Sequence, residues 1–236
     1  DPAIMWFDGD WTYSRKAPTL AKWWTKADGK DLYKYVKSLK SSILVNERVC
    51  RGFKLGDFEC PERSIPEKAP SRPWETCQSM NDAWGYKKDL ENSYRSYKYL
   101  IRELVDVASK SGNYLLNIGP KGDGTMTAGS KKALRGIGNW MKKNSKSIYG
   151  CGLSGIEKPD YGRVTRNGNL LYYHMFENTM GPVPLTGIKP GTIKKIRLLC
   201  DGSEVPISDS WVHTDYPEIV FANLGSDPVL PDAVDT

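Results

Sequence analysis

The sequence predicts an α/β chain in two parts, split near residue 150. Two observations carry this. Up to that point short apolar runs closed by turn residues alternate with amphipathic helical stretches, the pattern of a parallel sheet or barrel. Beyond it come short alternating strands separated by tight-turn signals, which predict an antiparallel β-sandwich over residues 154–236.

Taken in order, Ala3–Phe7 is an apolar run ended by Asp8-Gly9, as a buried parallel strand would be. A helix is expected over 31–39, where Leu32, Tyr35, Val36 and Leu39 recur at helical spacing. Ser42–Asn46 reads as a second buried strand. Residues 94–111 give the clearest helix, with Leu100, Ile101, Leu104, Val105 and Ala108 on one face and Gly112 where a C-terminal cap belongs. Tyr114–Ile118 is a further strand, closed by Gly119-Pro120. Residues 128–143 are helical again, with Leu134, Ile137, Trp140 and Met141 on one face. In the second part, Asn167-Gly168 between Gly162–Arg166 and Leu170–Phe176 signals a hairpin. Ile196–Cys200, followed by Asp201-Gly202, and Glu218–Ala222 are the remaining strands.

Composition narrows the function. Hydrophobic residues make up 39% of the 236, enough for a sizeable core, so the chain is not a disordered one. The net charge of +6 is spread along the sequence among acidic residues, and no nucleic-acid motif accompanies it. Lys142, Lys143 and Lys146 close a predicted helix, where cations suit both the helix dipole and water. The five cysteines, Cys50, Cys60, Cys77, Cys151 and Cys200, form no C-x-x-C pair, and His174 and His213 lie far from them, so there is no zinc pattern. No apolar run is long enough for a membrane-spanning helix. Eight Trp and 13 Tyr suit either ordinary packing or a site that covers the apolar face of a sugar ring.

The residues able to do chemistry collect behind the first two strands. Functional groups of parallel barrels sit at the C-terminal ends of strands. Asp8 follows Ile4-Met5-Trp6-Phe7, and the next strand runs into Asn46-Glu47-Arg48 and a loop through Asp57, Glu59 and Glu62. Two carboxylates across a scissile bond are the requirement of glycoside hydrolysis, and a nearby Arg keeps one of them ionised. The same pattern also reads as a simple Asp-Gly turn with solvated acids.

Trp6-Phe7-Asp8-Gly9, Asn46-Glu47-Arg48, Gly56-Asp57-Phe58-Glu59-Cys60-Pro61-Glu62, Trp74-Glu75-Thr76-Cys77 with Trp84-Gly85-Tyr86, and Gly112–Pro120 with Asp123-Gly124 and Ser147–Gly150 decide between them. In this order the segments resemble the α-L-fucosidases of glycoside hydrolase family 29, over residues 4–150. The resemblance implies a partial (β/α)8-like barrel, its C-terminal half, over residues 1–153, followed by the β-sandwich at 154–236.

It also implies hydrolysis of terminal α-L-fucosyl linkages with retention. Asp8 would be the nucleophile and Glu62 the acid/base. Arg48 would orient or stabilise the site, Trp84 would pack on the sugar, and Trp6 would line the pocket floor. Cys60 stands where the family usually has Thr. Asp10 is a rival nucleophile, since on a continuing strand it shares the face of Asp8. Glu75 is a rival acid, or a buried structural carboxylate paired with an Arg.

No metal or organic cofactor is implied. The implied partners are fucosylated glycans, with no nucleic acid and no membrane, and the implied setting is secreted, periplasmic or lysosomal. A chain that opens on the nucleophile strand is expected to lack the N-terminal half of its barrel, to leave Ile4 and Met5 uncovered, and to be incomplete as an enzyme alone. The alternative is a non-catalytic carbohydrate-binding protein on a decayed or truncated hydrolase scaffold.

Overall fold

The computed structural model describes residues 2–10, 24–208, 211–225, 234 and 236. It divides into two compact units, Asp1–Gln78 and Ser79–Thr236.

In the first unit β1 (Ile4–Met5) pairs in parallel with β2 (Leu44–Val45), with Ile4 opposite Leu44 and Met5 opposite Val45. Both strands are shorter than the apolar runs that encode them. Beyond Met5 the ladder is continued by a side chain: Phe7 N–H donates to Asn46 Oδ1 at 2.8 Å, and Asn46 Nδ2 donates to the Phe7 carbonyl at 2.9 Å. This amide stands in for a strand residue and lets the chain turn outward at Asp8. Ile4 and Met5 are 47% and 37% exposed, so the expectation of uncovered side chains at these two positions holds and that of a fully buried strand does not. The core lies on the other side, where Val36, Ile43, Val45 and Val49 are packed by Phe7, Leu32, Tyr33 and Leu55.

The helix α1 (Lys26–Leu39) starts five residues before the expected position. Thr25 and Asp28 form a reciprocal capping box that nucleates it there. Gly29 is tolerated in its first turn because the helix runs against the loop after β2: a Cβ at Gly29 would lie 2.5 Å from Cys50 Cβ. Of its expected apolar face, Leu32 and Val36 pack into the core while Tyr35 and Leu39 are exposed.

Residues 56–62 run beside β2 and then beside β3 (Glu75–Ser79), with parallel bridges Asn46 to Phe58, Glu59 to Trp74 and Glu62 to Cys77. Gly56 makes the approach possible. Its φ is +77°, and a Cβ there would sit 2.6 Å from the Asn46 carbonyl oxygen. Asp57 then fastens the segment. Its carboxylate accepts from Val45 N–H at 2.8 Å and from Tyr33 Oη at 2.9 Å, and pairs with Lys37 at 2.8 Å.

Burial alone would push the Asp57 carboxyl up, but the Lys37, Val45 and Tyr33 bonds outweigh it and hold the pKa below its ordinary 3.8. A depressed carboxylate pKa adds stability that is present above the unfolded value and is lost as pH falls through the folded one. Asp57→Asn should therefore destabilise the protein by about 2 kcal/mol at pH 7, and the gap from the parent should narrow below pH 4. Urea unfolding at pH 7 and pH 3 checks this; an equal gap at both would refute it.

In the second unit α2 (Tyr97–Ser109), capped by Ser96, buries Leu100, Ile101, Val105, Val107 and Ala108. It closes in a Schellman motif, with Gly112 N–H donating to the Val107 carbonyl and Ser111 N–H to that of Ala108, both at 3.0 Å. The left-handed residue is Ser111, at φ +56°, not the expected Gly112. Its hydroxyl accepts from Leu153 N–H at 2.8 Å.

After β4 (Asn113–Asn117) comes α3 (Ala128–Asn144), capped by Thr127. Its buried face is Ser130, Ala133, Trp140 and Asn144, with Ile137 and Met141 packed alongside; Leu134, assigned to this face from its spacing, is exposed. Trp140 and Ile148 join Ile101, Val105 and Ala108 in one core cluster.

The rest of this unit is antiparallel. β5 (Gly152–Leu153), β6 (Gly162–Asn167) and β7 (Leu170–Met175) form one three-stranded sheet. Asn167 pairs with Leu170, so the turn is Gly168-Asn169, one residue later than Asn167-Gly168 suggested, with Gly168 at φ +56°. β8 (Val183–Leu185) pairs with β11 (Val220–Ala222), and β9 (Ile196–Arg197) with β10 (Glu204–Val205). These strands close over Tyr161, Met175, Val183, Leu185, Val205, Val220 and Ala222. Among the described residues no helix is long and apolar enough to cross a membrane.

Candidate active site

In the first unit one buried guanidinium bridges two of the carboxylates that follow β1 and β2. Arg48 lies in a helical turn directly after β2, and its side chain is 3% exposed. Its Nη1 donates to Asp8 Oδ1 and its Nη2 to Glu62 Oε2, each at 3.0 Å. Asp8 and Glu62 are 44% and 41% exposed, so both acids face water while the cation between them does not. A planar fork gripping both sets the paired oxygens at most about 8 Å apart, a span that takes in the retaining separation of about 5–5.5 Å and only the lower part of the inverting range, about 6.5–9.5 Å.

The fork is itself held from behind. Its carbon lies 4.6 Å from the centre of the Trp6 ring, a cation–π contact, and Nη2 also reaches Cys77 Sγ at 3.1 Å. Burial works against the charge on Arg48, but the Asp8 and Glu62 carboxylates outweigh it and hold its pKa above the ordinary value.

Trp6 also donates its indole N–H to Glu75 Oε1 at 3.0 Å. Among the described residues Glu75 is thus tied to the ring beneath Arg48 rather than to an Arg. Glu47 accepts from Cys60 N–H at 2.8 Å, which pins the strand that delivers Glu62. Cys60 lies beside Asn46, and burial pushes its thiol up to about 12. Burial likewise raises the thiol of Cys77, so both stay protonated. All five cysteines are free thiols.

The sequence singled out Trp6, Asp8, Arg48, Glu62 and Glu75, and the structure gathers these in one cluster. Asp10 sits differently. Its side chain is 3% exposed and accepts from the backbone N–H of Arg51 at 2.5 Å. A cleft of about 120 Å³ opens beside Asp8, between Phe7, Trp24, Leu32 and Arg48. Trp84 belongs to the second unit, where it is exposed and its carbonyl accepts from Asn117 Nδ2 at 2.7 Å. His174, also there, lies fully buried between Thr165 and Thr236, and burial pushes its pKa down to about 3, so it stays neutral.

Sequence reasoning missed Arg51, whose Nη2 donates to Asp8 Oδ1 at 3.0 Å. It missed Cys77 as a partner of Arg48 too. Arg51 lies three residues past Arg48 in the same loop, and that proximity was the signal available.

Comparison with known proteins shows the family of the chain. The family model described as alpha-L-fucosidase matches residues 1–146. The chain is 32% identical over 181 residues to tissue alpha-L-fucosidase of Mus musculus, covering 73% of this chain and 36% of that protein. It is 30% identical over 185 residues to alpha-L-fucosidase of Dictyostelium discoideum, covering 75% and 39%. The chain thus spans little more than a third of the length of these relatives.

Among solved structures, alpha-L-fucosidase isoenzyme 1 from Paenibacillus thiaminolyticus superposes with a TM-score of 0.84 at 33% identity, over 98% of this chain and 56% of that one. A GH29 alpha-L-fucosidase from Bacteroides thetaiotaomicron, trapped as a covalent intermediate in a Glu-to-Gln mutant with 2-fluoro-fucosyl fluoride, superposes at 0.80 and 25% identity, over 98% and 55%. The family match covers more than half of the sequence, and this chain belongs to the alpha-L-fucosidase family.

Proposed function

We propose that the protein carrying this chain hydrolyses terminal α-L-fucosyl linkages of glycans with retention, with Asp8 as nucleophile and Glu62 as acid/base. The observation that carries the reading is the Arg48 fork: in a chain of this family, two water-facing carboxylates are gripped by one buried cation.

In the first step an Asp8 oxygen bonds to the anomeric carbon. The glycosidic bond breaks with its electron pair on the leaving oxygen, which takes a proton from Glu62. In the second, Glu62 takes a proton from water as that water bonds to the anomeric carbon, and Asp8 leaves as carboxylate. The covalent intermediate trapped in the Bacteroides relative supports this route.

The fold reading that goes with it is a (β/α)8-like barrel, of which residues 1–153 are the C-terminal half, followed by a β-sandwich at 154–236. The parallel β1–β2 pair and the antiparallel later strands support it.

Glu62 is preferred to Glu75 as the acid because Glu75 is committed to the Trp6 indole. Glu62→Ala should slow substrates with poor leaving groups by about 10²–10⁴-fold, while aryl fucosides with activated leaving groups lose far less in the first step. Parallel assays of Glu62→Ala and Glu75→Ala on both substrate kinds test this. The selective pattern in Glu75→Ala instead would move the acid to Glu75.

A further inference from the structure

Arg51 has no part in the mechanism above, yet it touches the proposed nucleophile. Its Nη2 and Arg48 Nη1 both donate to Asp8 Oδ1, each at 3.0 Å. Among the described residues Asp8 Oδ2 accepts no hydrogen bond, which makes Oδ2 the oxygen left to attack. Arg51 is seated in turn. Its backbone N–H donates to Asp10 Oδ2 at 2.5 Å, and its Nε lies 3.4 Å from Asp10 Oδ1. Asp10 is nearly closed to water, whereas the Arg51 guanidinium is 36% exposed at the same rim as Asp8.

We infer that Arg51, anchored by Asp10, is a positioning residue that speeds the second half of the reaction, release of fucose from Asp8. The inference rests on the proposed retaining mechanism.

The two steps ask opposite things of a cation on Oδ1. In the first, Oδ2 bonds to the anomeric carbon and Asp8 loses its negative charge, so a guanidinium on Oδ1 favours the starting carboxylate and gives the step no help. In the second, water bonds to the anomeric carbon and gives a proton to Glu62, while the Oδ2–carbon bond breaks with its electron pair returning to Asp8. Charge then grows on a carboxylate whose other oxygen already faces two cations, and the barrier falls. Arg48 does the same but also holds Glu62, so its removal disturbs both steps. Among the described residues the carboxylates that Arg51 pairs with are Asp8 and Asp10 and not Glu62, which separates its effect from that of Arg48.

The test is steady-state and rapid-mixing kinetics of the whole protein that carries this chain, on 4-nitrophenyl α-L-fucoside. In Arg51→Gln, kcat should fall about tenfold and KM should fall with it, leaving kcat/KM within about threefold of the parent. A burst of 4-nitrophenol close to one per enzyme should precede the slow phase. Arg51→Lys should restore part of kcat, and Asp10→Asn should show a weaker version of the same pattern.

A fall in kcat/KM with unchanged KM and no burst would make Arg51 merely structural, and parent-like kinetics in both Arg51→Gln and Asp10→Asn would overturn the inference. Should Arg51→Gln fail to fold, a folded Asp10→Asn without the burst also overturns it. A parent protein that releases no 4-nitrophenol refutes the proposed function itself, whereas an active parent with the wrong variant pattern refutes this inference alone.

Discussion

Asp8→Gly should cut turnover of an aryl fucoside by about 10⁴-fold or more, because it removes the atom that forms the covalent bond in the proposed mechanism. The fold should survive. Asp8 is nearly half exposed, and the chain has already left the β1 ladder before it, at the Asn46 amide. Gly9 next to it is at φ +92°, so the turn is set by a neighbour that the substitution leaves alone. The vacated volume lies beside Arg48 and Arg51, two cations that would hold a small anion. Added azide should therefore recover part of the activity, with β-fucosyl azide as product. Near-parent turnover in the variant would remove Asp8 from the role and turn attention to Asp10, despite its burial.

Arg48→Met should separate activity from stability. Turnover should fall about 10²–10³-fold, since the two carboxylates lose the cation that fixes their spacing and neutralises their repulsion. Stability should change by no more than about 2 kcal/mol. A buried guanidinium bears a desolvation cost that an apolar side chain of similar length avoids, and the acids left behind are water-facing. Met would also keep contact with the Trp6 ring. Arg48→Lys should recover little, because an ammonium is a point charge and cannot give separate donors to Asp8 and Glu62 in one plane. Thermal unfolding and aryl fucoside hydrolysis measured on the same preparations check both halves; turnover within a few-fold of the parent would end the bridging role of Arg48.

What the sequence disclosed follows the range of the interactions involved. α2 and α3 were legible because their apolar spacing is local. The first strand and the loop at 46–62 were legible because turn residues close apolar runs there.

The start of α1 was not, because Gly29 looks like a breaker until its contact with Cys50 is known. Tyr35, Leu39 and Leu134 were misassigned for a related reason: spacing says which residues share a face, not how wide a stripe the neighbours cover. Ser111 took the left-handed position one residue before the expected glycine, because its hydroxyl finds Leu153 in a distant strand.

In the site, Asp8, Arg48 and Glu62 were recognisable as a family pattern. Arg51 was not. Its contact with Asp8 spans 43 residues, and an Arg in a loop of mixed charge reads as a solvated charge.

The Asn46 amide that extends the β1 ladder has a consequence for how this sequence can vary. Its side chain must present a donor and an acceptor together, at the spacing of a peptide group, from a position with no exposed surface. Asp has the same shape but would set an acceptor against the Phe7 carbonyl. Gln carries both groups on a longer stem, and Ser or Thr cannot reach. Glu47 and Asp57 on either side offer carboxylate oxygens to backbone N–H groups, a task that more than one residue type can perform. Position 46 is therefore a narrow gate in sequence space: a lineage that loses this amide must rebuild the end of the first strand by other means.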